Sequence, residues 1–465
     1  MTKQNFNTQF LAFAEKMRSA EMPDIAIANF RNNYQKLLAG ENGFVSESSI
    51  RAVDELSDSE NLNQEHLQLG EKALASTVLI KLNGGLGTSM GLNKAKSLIR
   101  VKQNFTFLDI IIRHALQSKV HLVLMNSFST QKDCRKVLQT YPSLLDTNPG
   151  LDFVQHKVPK IRQDDFAPIS SNSEQLDWCP PGHGDIYISL YSSGMLDNLL
   201  KANYRYAFIS NSDNLGATLD SSLLGFMVKK KLPFLMEVTD RTEADKKGGH
   251  LARSLNGRLI LRESAQCLDQ DRDNFEDISK YRYFNTNNLW IDLQTLQNTL
   301  VEQKYILDLP FICNKKTVDP RNNESEPVFQ LESAMGAAIG VLDGAQAIRV
   351  PRSRFAPVKT TNDLLLVQSD VYDLTDRHTL SSKVGLNKMP MINLDRKYFG
   401  MIDDFEMRFP SQIPSLLACK KLDVIGDIIF GDNISIEGHV RLKNESNEQL
   451  RIPDNSFINE DMSWE

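Results

Sequence analysis

No apolar run in this 465-residue chain approaches the length needed to cross a bilayer, and no cationic stretch with an apolar core opens it. A protein without a membrane span or secretory leader is expected. The five cysteines (134, 179, 267, 313 and 419) include no Cys-x-x-Cys pair, so neither a zinc site nor a disulfide framework is indicated. A reducing cytoplasm is the expected compartment. Positive charge is not in excess either: the net charge is −6. Binding to a nucleic-acid backbone needs a basic surface, so that class is set aside. The run Lys229-Lys230-Lys231 reads as the solvated end of a helix. No Ser/His/Asp signature of nucleophilic catalysis is visible.

What is present is an ordinary globular composition, 41% hydrophobic and 24% charged, long enough for two or three domains. Its most informative stretch is Leu82-Asn83-Gly84-Gly85-Leu86-Gly87-Thr88-Ser89-Met90-Gly91, followed by Lys96. Four glycines fall within eight positions, directly after the β-branched run Thr77-Val78-Leu79-Ile80. Glycine removes bulk and lets backbone N–H groups lie against an anion. The pattern predicts a strand feeding a phosphate-cradling loop, with Lys96 as a mobile charge. A Walker A loop is excluded because no register gives Gly-x4-Gly-Lys-Ser/Thr. The fingerprint Gly-x-Gly-x-x-Gly fails because Met90 stands where its third glycine belongs.

Residues 1–75 read as a helical N-terminal extension, with Phe6, Phe10 and Phe13 on one face and Ile25, Ile27 and Phe30 after Met22-Pro23-Asp24. The acidic stretch from Ser46 to Glu60 offers no chemistry. From Thr77 short apolar runs alternate with helix-like segments: Val78–Leu82, Val120–Met125, Tyr206–Ser210, Leu232–Val238 and Leu289–Ile291. Strand-and-crossover repetition predicts a mostly parallel, Rossmann-like α/β sheet covered on both faces. Ligands in such sheets sit beyond the carboxyl ends of the strands. Near the end, Leu422, Ile428, Ile434 and Val440 recur every six residues, each with an apolar residue two later. That period predicts a short parallel β-helix, against an alternative of ordinary alternating strands. Residues 76–385 are then expected to form the sheet domain and 386–465 a C-terminal domain, with Gly400 to Pro414 as the connection. Such coils can mediate end-to-end assembly into a homo-oligomer or simply cap themselves.

Residues 82–98 resemble the nucleotide-binding loop of eukaryotic-type UTP–glucose-1-phosphate uridylyltransferases. Further blocks resemble the same family in its order: Met125-Asn126-Ser127-Phe128, Trp178-Cys179-Pro180-Pro181-Gly182-His183-Gly184-Asp185, and Ser210-Asn211-Ser212-Asp213-Asn214-Leu215-Gly216. Then come Lys247-Gly248-Gly249, Phe284-Asn285-Thr286-Asn287-Asn288-Leu289-Trp290, Gln330-Leu331-Glu332-Ser333-Ala334-Met335-Gly336, and Val350-Pro351-Arg352-Ser353-Arg354-Phe355-Ala356-Pro357-Val358-Lys359. The resemblance implies a GT-A-like nucleotidyltransferase fold whose β-helix is left-handed. It implies attack by glucose 1-phosphate on the α-phosphorus of UTP, releasing pyrophosphate and forming UDP-glucose, with Mg²⁺ as cofactor.

By the same resemblance Lys96 and Lys359 are the catalytic cations. Leu82, Gly84, Gly85, Met125, Gln155, Gly182, Asn211 and Asp213 surround the nucleotide, and Asp213 holds the metal. His183 is expected near the phosphates. Gly248, Gly249, Glu263, Asn285 and Asn287 are expected to line the glucose site. The residues support part of this independently. Asn211 and Asp213, two apart in an extended segment, face one side, and Mg²⁺ is held by few carboxylates with water and phosphate completing its shell. An Asx turn capping the strand would also suit them. Asn285 and Asn287 share a face if extended. Arg352 and Arg354 suit a structural role equally well, and the Gln330–Gly336 block reads as packing. Two rivals stand beside this reading: a broader UDP-sugar or N-acetylhexosamine pyrophosphorylase, and a non-catalytic nucleotide-sugar sensor. The sensor would need none of the charges at Lys96, Asp213 and Lys359.

Overall fold

The computed structural model describes residues 3–144, 147–171, 173–320, 322, 324–385 and 388–465, with side chains from residue 9 onward at the amino end. The side chain of Phe6, and the domain boundary expected at residue 386, therefore lie outside the described residues.

Seven strands form the part of the central sheet that matters here: β1 (Thr77–Asn83), β2 (His121–Asn126), β3 (Asp152–Val154), β4 (Tyr206–Asn211), β5 (Phe234–Asp240), β6 (Tyr283–Asp292) and β7 (Gln346–Arg349). They lie in the order β7-β5-β6-β4-β1-β2-β3. Each apolar run predicted as a strand is one. Alternate residues feed two cores on opposite faces. Leu79, Leu124, Phe208, Leu235 and Trp290 belong to one, and Val78, Ile80, Val123, Ile209 and Met236 to the other. A strand buried on both faces is apolar at most successive positions, which is why these runs show no alternation. Helices Phe107–Gln117, Ser221–Lys230 and Thr361–Gln368 cover the first face, and Ile186–Ser192, Met195–Lys201 and Leu293–Glu302 the second.

The sheet is mixed where repeated parallel crossovers were expected. β6 runs antiparallel to both neighbours, β4 and β5, while the other pairs among the seven are parallel. Reversal matters to the site: it puts the start of β6, with Asn285 and Asn287, at the edge where its neighbours end. The ladder also breaks there. Glu237 pairs with Asn288 but Val238 with Asn285, so Thr286 and Asn287 bulge out, Asn287 with φ 56°. The pair is thus not on a plain extended face.

The first 75 residues are not wholly helical. Helices Lys3–Ser19 and Asp24–Leu38 pack as expected, with Phe10, Phe13, Ile27 and Phe30 buried. Ile50–Arg51 and Ser57–Asp58, however, add to the main sheet beside His250–Ser254 and β7. Toward the carboxyl end, Met391–Leu394, Ser415–Ile425 and Ser435–Asn444 pair in parallel, followed by Phe457–Ile458 and Met462–Trp464. Leu422 lies beside Val440 and Val424 beside Leu442, three six-residue periods apart, and every apolar position of the repeat is buried. Helix Ile402–Arg408 occupies the connection.

Helix Gln64–Leu74 crosses Ser221–Lys230 at a pair of glycines. A Cβ on Gly70 would lie 1.7 Å from the Ser221 carbonyl oxygen, and one on Gly225 1.7 Å from that of His66. Gly225→Ala should therefore push the helices apart and cost about 1–3 kcal/mol of overpacking, lowering the urea midpoint. Gly150→Ala, where an added Cβ meets nothing within 4 Å, should leave the midpoint unchanged.

Candidate active site

The carboxyl end of β1 opens into the glycine loop, and the loop is held from several sides. An added Cβ on Gly84 would lie 3.0 Å from the Gln155 amide, and Gln155 is itself placed by its N–H on the Asn126 carbonyl, 2.8 Å away. The Gly85 carbonyl accepts the Lys96 backbone N–H at 3.0 Å. Gly87 has φ 63°, a conformation that favours glycine. Among the described residues, the N–H groups of Gly85, Leu86 and Gly87 donate to no protein atom. At Gly85 nothing lies within 4 Å of where a Cβ would stand. Three consecutive free donors on an open loop are the groups an anion needs.

Asp213, just past the end of β4, faces this loop. Its Oδ2 accepts from Lys96 Nζ at 2.6 Å, while its buried Oδ1 has no partner among the described residues. The Asp213 carbonyl accepts the Val358 N–H at 3.1 Å. That bond brings in Lys359, an exposed residue whose Nζ stands 5.9 Å from the centre of the Phe355 ring and makes no ion pair among the described residues. Asp213 thus joins three segments, to Lys96 through its carboxylate and to the Lys359 segment through its backbone carbonyl. Asn211 is half-buried at the end of β4, and the Leu82 carbonyl accepts the Ser212 N–H at 3.1 Å.

The Pro180–Gly184 loop rests on the strand Pro327–Ser333. Gly182 has φ 80°, and a Cβ there would stand 2.4 Å from the Ser333 carbonyl oxygen. Packing alone thus demands glycine, and the Gln330–Gly336 block supplies that packing. His183 Nδ1 accepts the Met335 N–H at 2.9 Å, and burial pushes its pKa down to about 4. The ring is neutral, with its remaining proton on Nε2: a donor rather than a cation. Met125 is only 1% exposed and sits in the second sheet core, so its side chain backs the site from the interior.

A second group of residues gathers at the start of β6. The Gly249 carbonyl accepts the Asn285 N–H at 3.1 Å, and Asn285 Nδ2 donates to Asn287 Oδ1 at 2.9 Å. A Cβ on Gly248 would stand 2.1 Å from the Phe284 ring, and one on Gly249 2.5 Å from Glu263 Oε2. Burial raises the Glu263 pKa, opposed by its hydrogen bond to Asn285 and the charge of Lys359. The expected glucose-site residues are therefore neighbours, with amides and a carboxyl group suited to paired hydroxyls.

Sequence reasoning missed the network that joins these two groups. Glu237, fully buried in β5, accepts from Arg354 at 2.7 Å with both carboxylate oxygens, from Trp290 Nε1 at 2.8 Å and from Asn288 Nδ2 at 3.1 Å. Asn214 Nδ2 donates to Asn288 Oδ1 and the Arg354 carbonyl, while its Oδ1 accepts the Ala356 N–H at 2.9 Å. Arg354 is structural, as is Arg352, which is paired with both oxygens of Asp245 at 2.5 and 3.0 Å. A charge inside the apolar run Leu232–Val238 was the available signal. Lys81, also buried, donates to Ser210 Oγ and the Ala217 carbonyl, and burial lowers its pKa to about 7.

The family described as UTP–glucose-1-phosphate uridylyltransferase matches residues 27–437. A relative of that name from Pyrus pyrifolia is 43% identical over 398 residues, spanning 83% of this chain and 82% of its own. Another from Solanum tuberosum is 43% identical over 401 residues, spanning 83% and 81%. Among solved structures, a UDP-glucose pyrophosphorylase from Leishmania major superimposes with a TM-score of 0.90 at 42% identity, covering 98% of this chain and 99% of that one. A UDP-glucose phosphorylase from Trypanosoma brucei gives 0.88 at 44% identity, covering 98% and 100%.

The neutral His183 makes a pH prediction. Unfolded, the imidazole titrates near its ordinary 6.5; folded, it resists protonation down to about 4. The unfolded state binds the extra proton between those values, so this group's contribution is complete above pH 6.5 and is lost as pH falls toward 4. His183→Asn, which keeps an acceptor for the Met335 N–H, should flatten the stability–pH slope in that window. Urea titrations at pH 4.5 and 7 measure it.

Proposed function

The chain belongs to the UTP–glucose-1-phosphate uridylyltransferase family, and from that premise we propose how its residues divide the work. It joins UTP and glucose 1-phosphate into UDP-glucose and releases pyrophosphate, reversibly, since one phosphoanhydride is broken and one is made. Both substrates are polyanions, so positioning and charge neutralisation carry the catalysis.

The observation that carries this reading is that three loop N–H groups without a protein acceptor among the described residues lead into Lys96, which pairs with Asp213, whose carbonyl in turn holds the segment of Lys359. In this reading the N–H groups of Gly85, Leu86 and Gly87 hold nucleotide phosphate, and Lys96 neutralises it. Leu82, Gly84, Gln155 and Asn211 frame the base and ribose, with Gly182 giving the neighbouring loop close approach. The neutral His183 donates from Nε2 to the sugar phosphate. Gly248, Gly249, Glu263, Asn285 and Asn287 orient glucose. Lys359, on a loop fixed to Asp213, draws the two phosphates together for in-line attack on the α-phosphorus.

A Mg²⁺ ion suits Asp213. Its Oδ1 is buried and unpartnered, and no cluster of three or more acidic, His or Cys ligands exists among the described residues. One carboxylate, with the remaining positions left to water and phosphate, is the donor set this hard cation accepts. When bound, the ion offsets phosphate charge.

We read the carboxyl-terminal parallel strands as a short left-handed β-helix forming a domain from about residue 386, after the extension 1–75 and the catalytic domain 76–385. The repeat burial supports it. Exposed Leu417, Phe457 and Met462 on these strands favour self-association there. A cytoplasmic setting agrees with five free cysteines and with the absence of a helix long and apolar enough to cross a membrane among the described residues.

Pyrophosphate release with a panel of nucleotides and sugar 1-phosphates tests the reading. UTP with glucose 1-phosphate should be the preferred pair, and a preference for an N-acetylated sugar would favour the broader rival. Lys96→Ala and Lys359→Ala should each slow turnover by roughly 10² to 10³, the usual loss for one preorganised charge contact. Lys359→Ala should lower kcat more than UTP affinity, and Lys96→Ala should reduce both. Turnover of Lys359→Ala equal to wild type would remove that lysine from the mechanism.

A further inference from the structure

Ser127 touches the glycine loop from behind, and none of the roles above uses it. The residue follows β2 and is 4% exposed. Its backbone is fixed first: the N–H donates to Thr130 Oγ1 at 2.9 Å, and the carbonyl accepts the N–H groups of Thr130 and Gln131 at 3.1 Å. From that anchored position its hydroxyl donates to the Gly84 carbonyl at 2.9 Å.

That bond has a consequence on the other side of the peptide. In a planar trans peptide the N–H points opposite to the C=O. Holding the Gly84 oxygen against Ser127 turns the Gly85 N–H away from Ser127, and no described protein atom accepts it. The next peptide is treated alike, since the Gly85 carbonyl is held by the Lys96 N–H. Two glycines flank the Gly84–Gly85 peptide, so without the hydroxyl its orientation would be less restrained. A ligand would then have to fix it on binding, at a cost in affinity.

We propose that Ser127 is a positioning residue for phosphate binding, which fixes the Gly84 carbonyl so that the Gly85 N–H is aimed at the nucleotide phosphates before UTP arrives. This rests on the reading of residues 84–87 as the phosphate cradle. It separates Ser127 from the base: the hydroxyl matters to a ligand with phosphates and not to the nucleoside alone.

Titration calorimetry with UTP and with uridine, on wild type, Ser127→Ala, Ser127→Thr and Gly85→Ala, tests it. Ser127→Ala should weaken UTP about tenfold, the scale of one hydrogen bond's net worth, and leave uridine unchanged. Ser127→Thr, which keeps the hydroxyl, should recover most of the loss. Gly85→Ala, which obstructs the open loop, should also weaken UTP. If Gly85→Ala weakens UTP but Ser127→Ala does not, the inference is wrong and the cradle reading survives. If neither weakens UTP, the cradle reading itself fails. Equal losses for UTP and uridine in Ser127→Ala would mean that Ser127 merely supports the fold, which also overturns the proposal. Thermal melts check folding, and Ser127→Cys, of similar size but a weak donor, replaces Ser127→Ala if the alanine variant does not fold.

Discussion

The ion pair between Glu237 and Arg354 is the interaction on which the site depends. Glu237 is fully buried at the middle of β5, and Arg354 belongs to the segment that carries Lys359. Taking two charges out of water is expensive, and the cost is offset only when their remaining hydrogen-bonding capacity is filled. Here it is: Trp290 and Asn288 complete the carboxylate, and Thr218 accepts from the guanidinium. Removing either partner would leave a buried uncompensated charge, a loss of about 3–5 kcal/mol. The pair pins the Lys359 segment to the sheet, and the Val358–Asp213 backbone bond sets its register against β4.

Strand direction does the rest. β1, β2 and β4 end at one edge, and antiparallel β6 begins there. The glycine loop, Asp213 and the Thr286–Asn287 bulge are brought to that edge from segments far apart in sequence. Asn214, next to Asp213, donates directly to Asn288, beside the Thr286–Asn287 bulge. A site for two polyanions needs fixed donors more than it needs a nucleophile. In the proposed reading the loop N–H groups, a neutral His183 donor and the two lysines act as such donors.

The strands and the glycine loop were legible in the sequence, because each carries a local signal. Unbroken apolar runs mark strands buried on both faces, and four glycines after Ile80 mark the loop. The six-residue repeat marked Leu422 to Leu442 as one buried row. What it hid were relations between distant segments. The antiparallel entry of β6 depends on which strands flank it, and nothing within Tyr283–Asp292 states that. Bulging at Thr286–Asn287 undid the simple two-residue face, because alternation holds only while the ladder is regular. Ile50–Arg51 and Ser57–Asp58 are too short to show a period. Gly182 was expected at the nucleotide only through the resemblance; its steric reason, the Ser333 carbonyl, lies in another segment.

The central claim is that Asp213 and the loop donors act together on the phosphates of the nucleotide, with the buried Asp213 Oδ1, which has no partner among the described residues, left to accept a cation. Calorimetric titration of UTP into wild type and Asp213→Asn, each with and without Mg²⁺, tests it most directly. The account predicts that Mg²⁺ strengthens UTP binding in wild type and that this enhancement disappears in Asp213→Asn, while affinity for uridine stays the same in both. An undiminished Mg²⁺ enhancement in Asp213→Asn would contradict it.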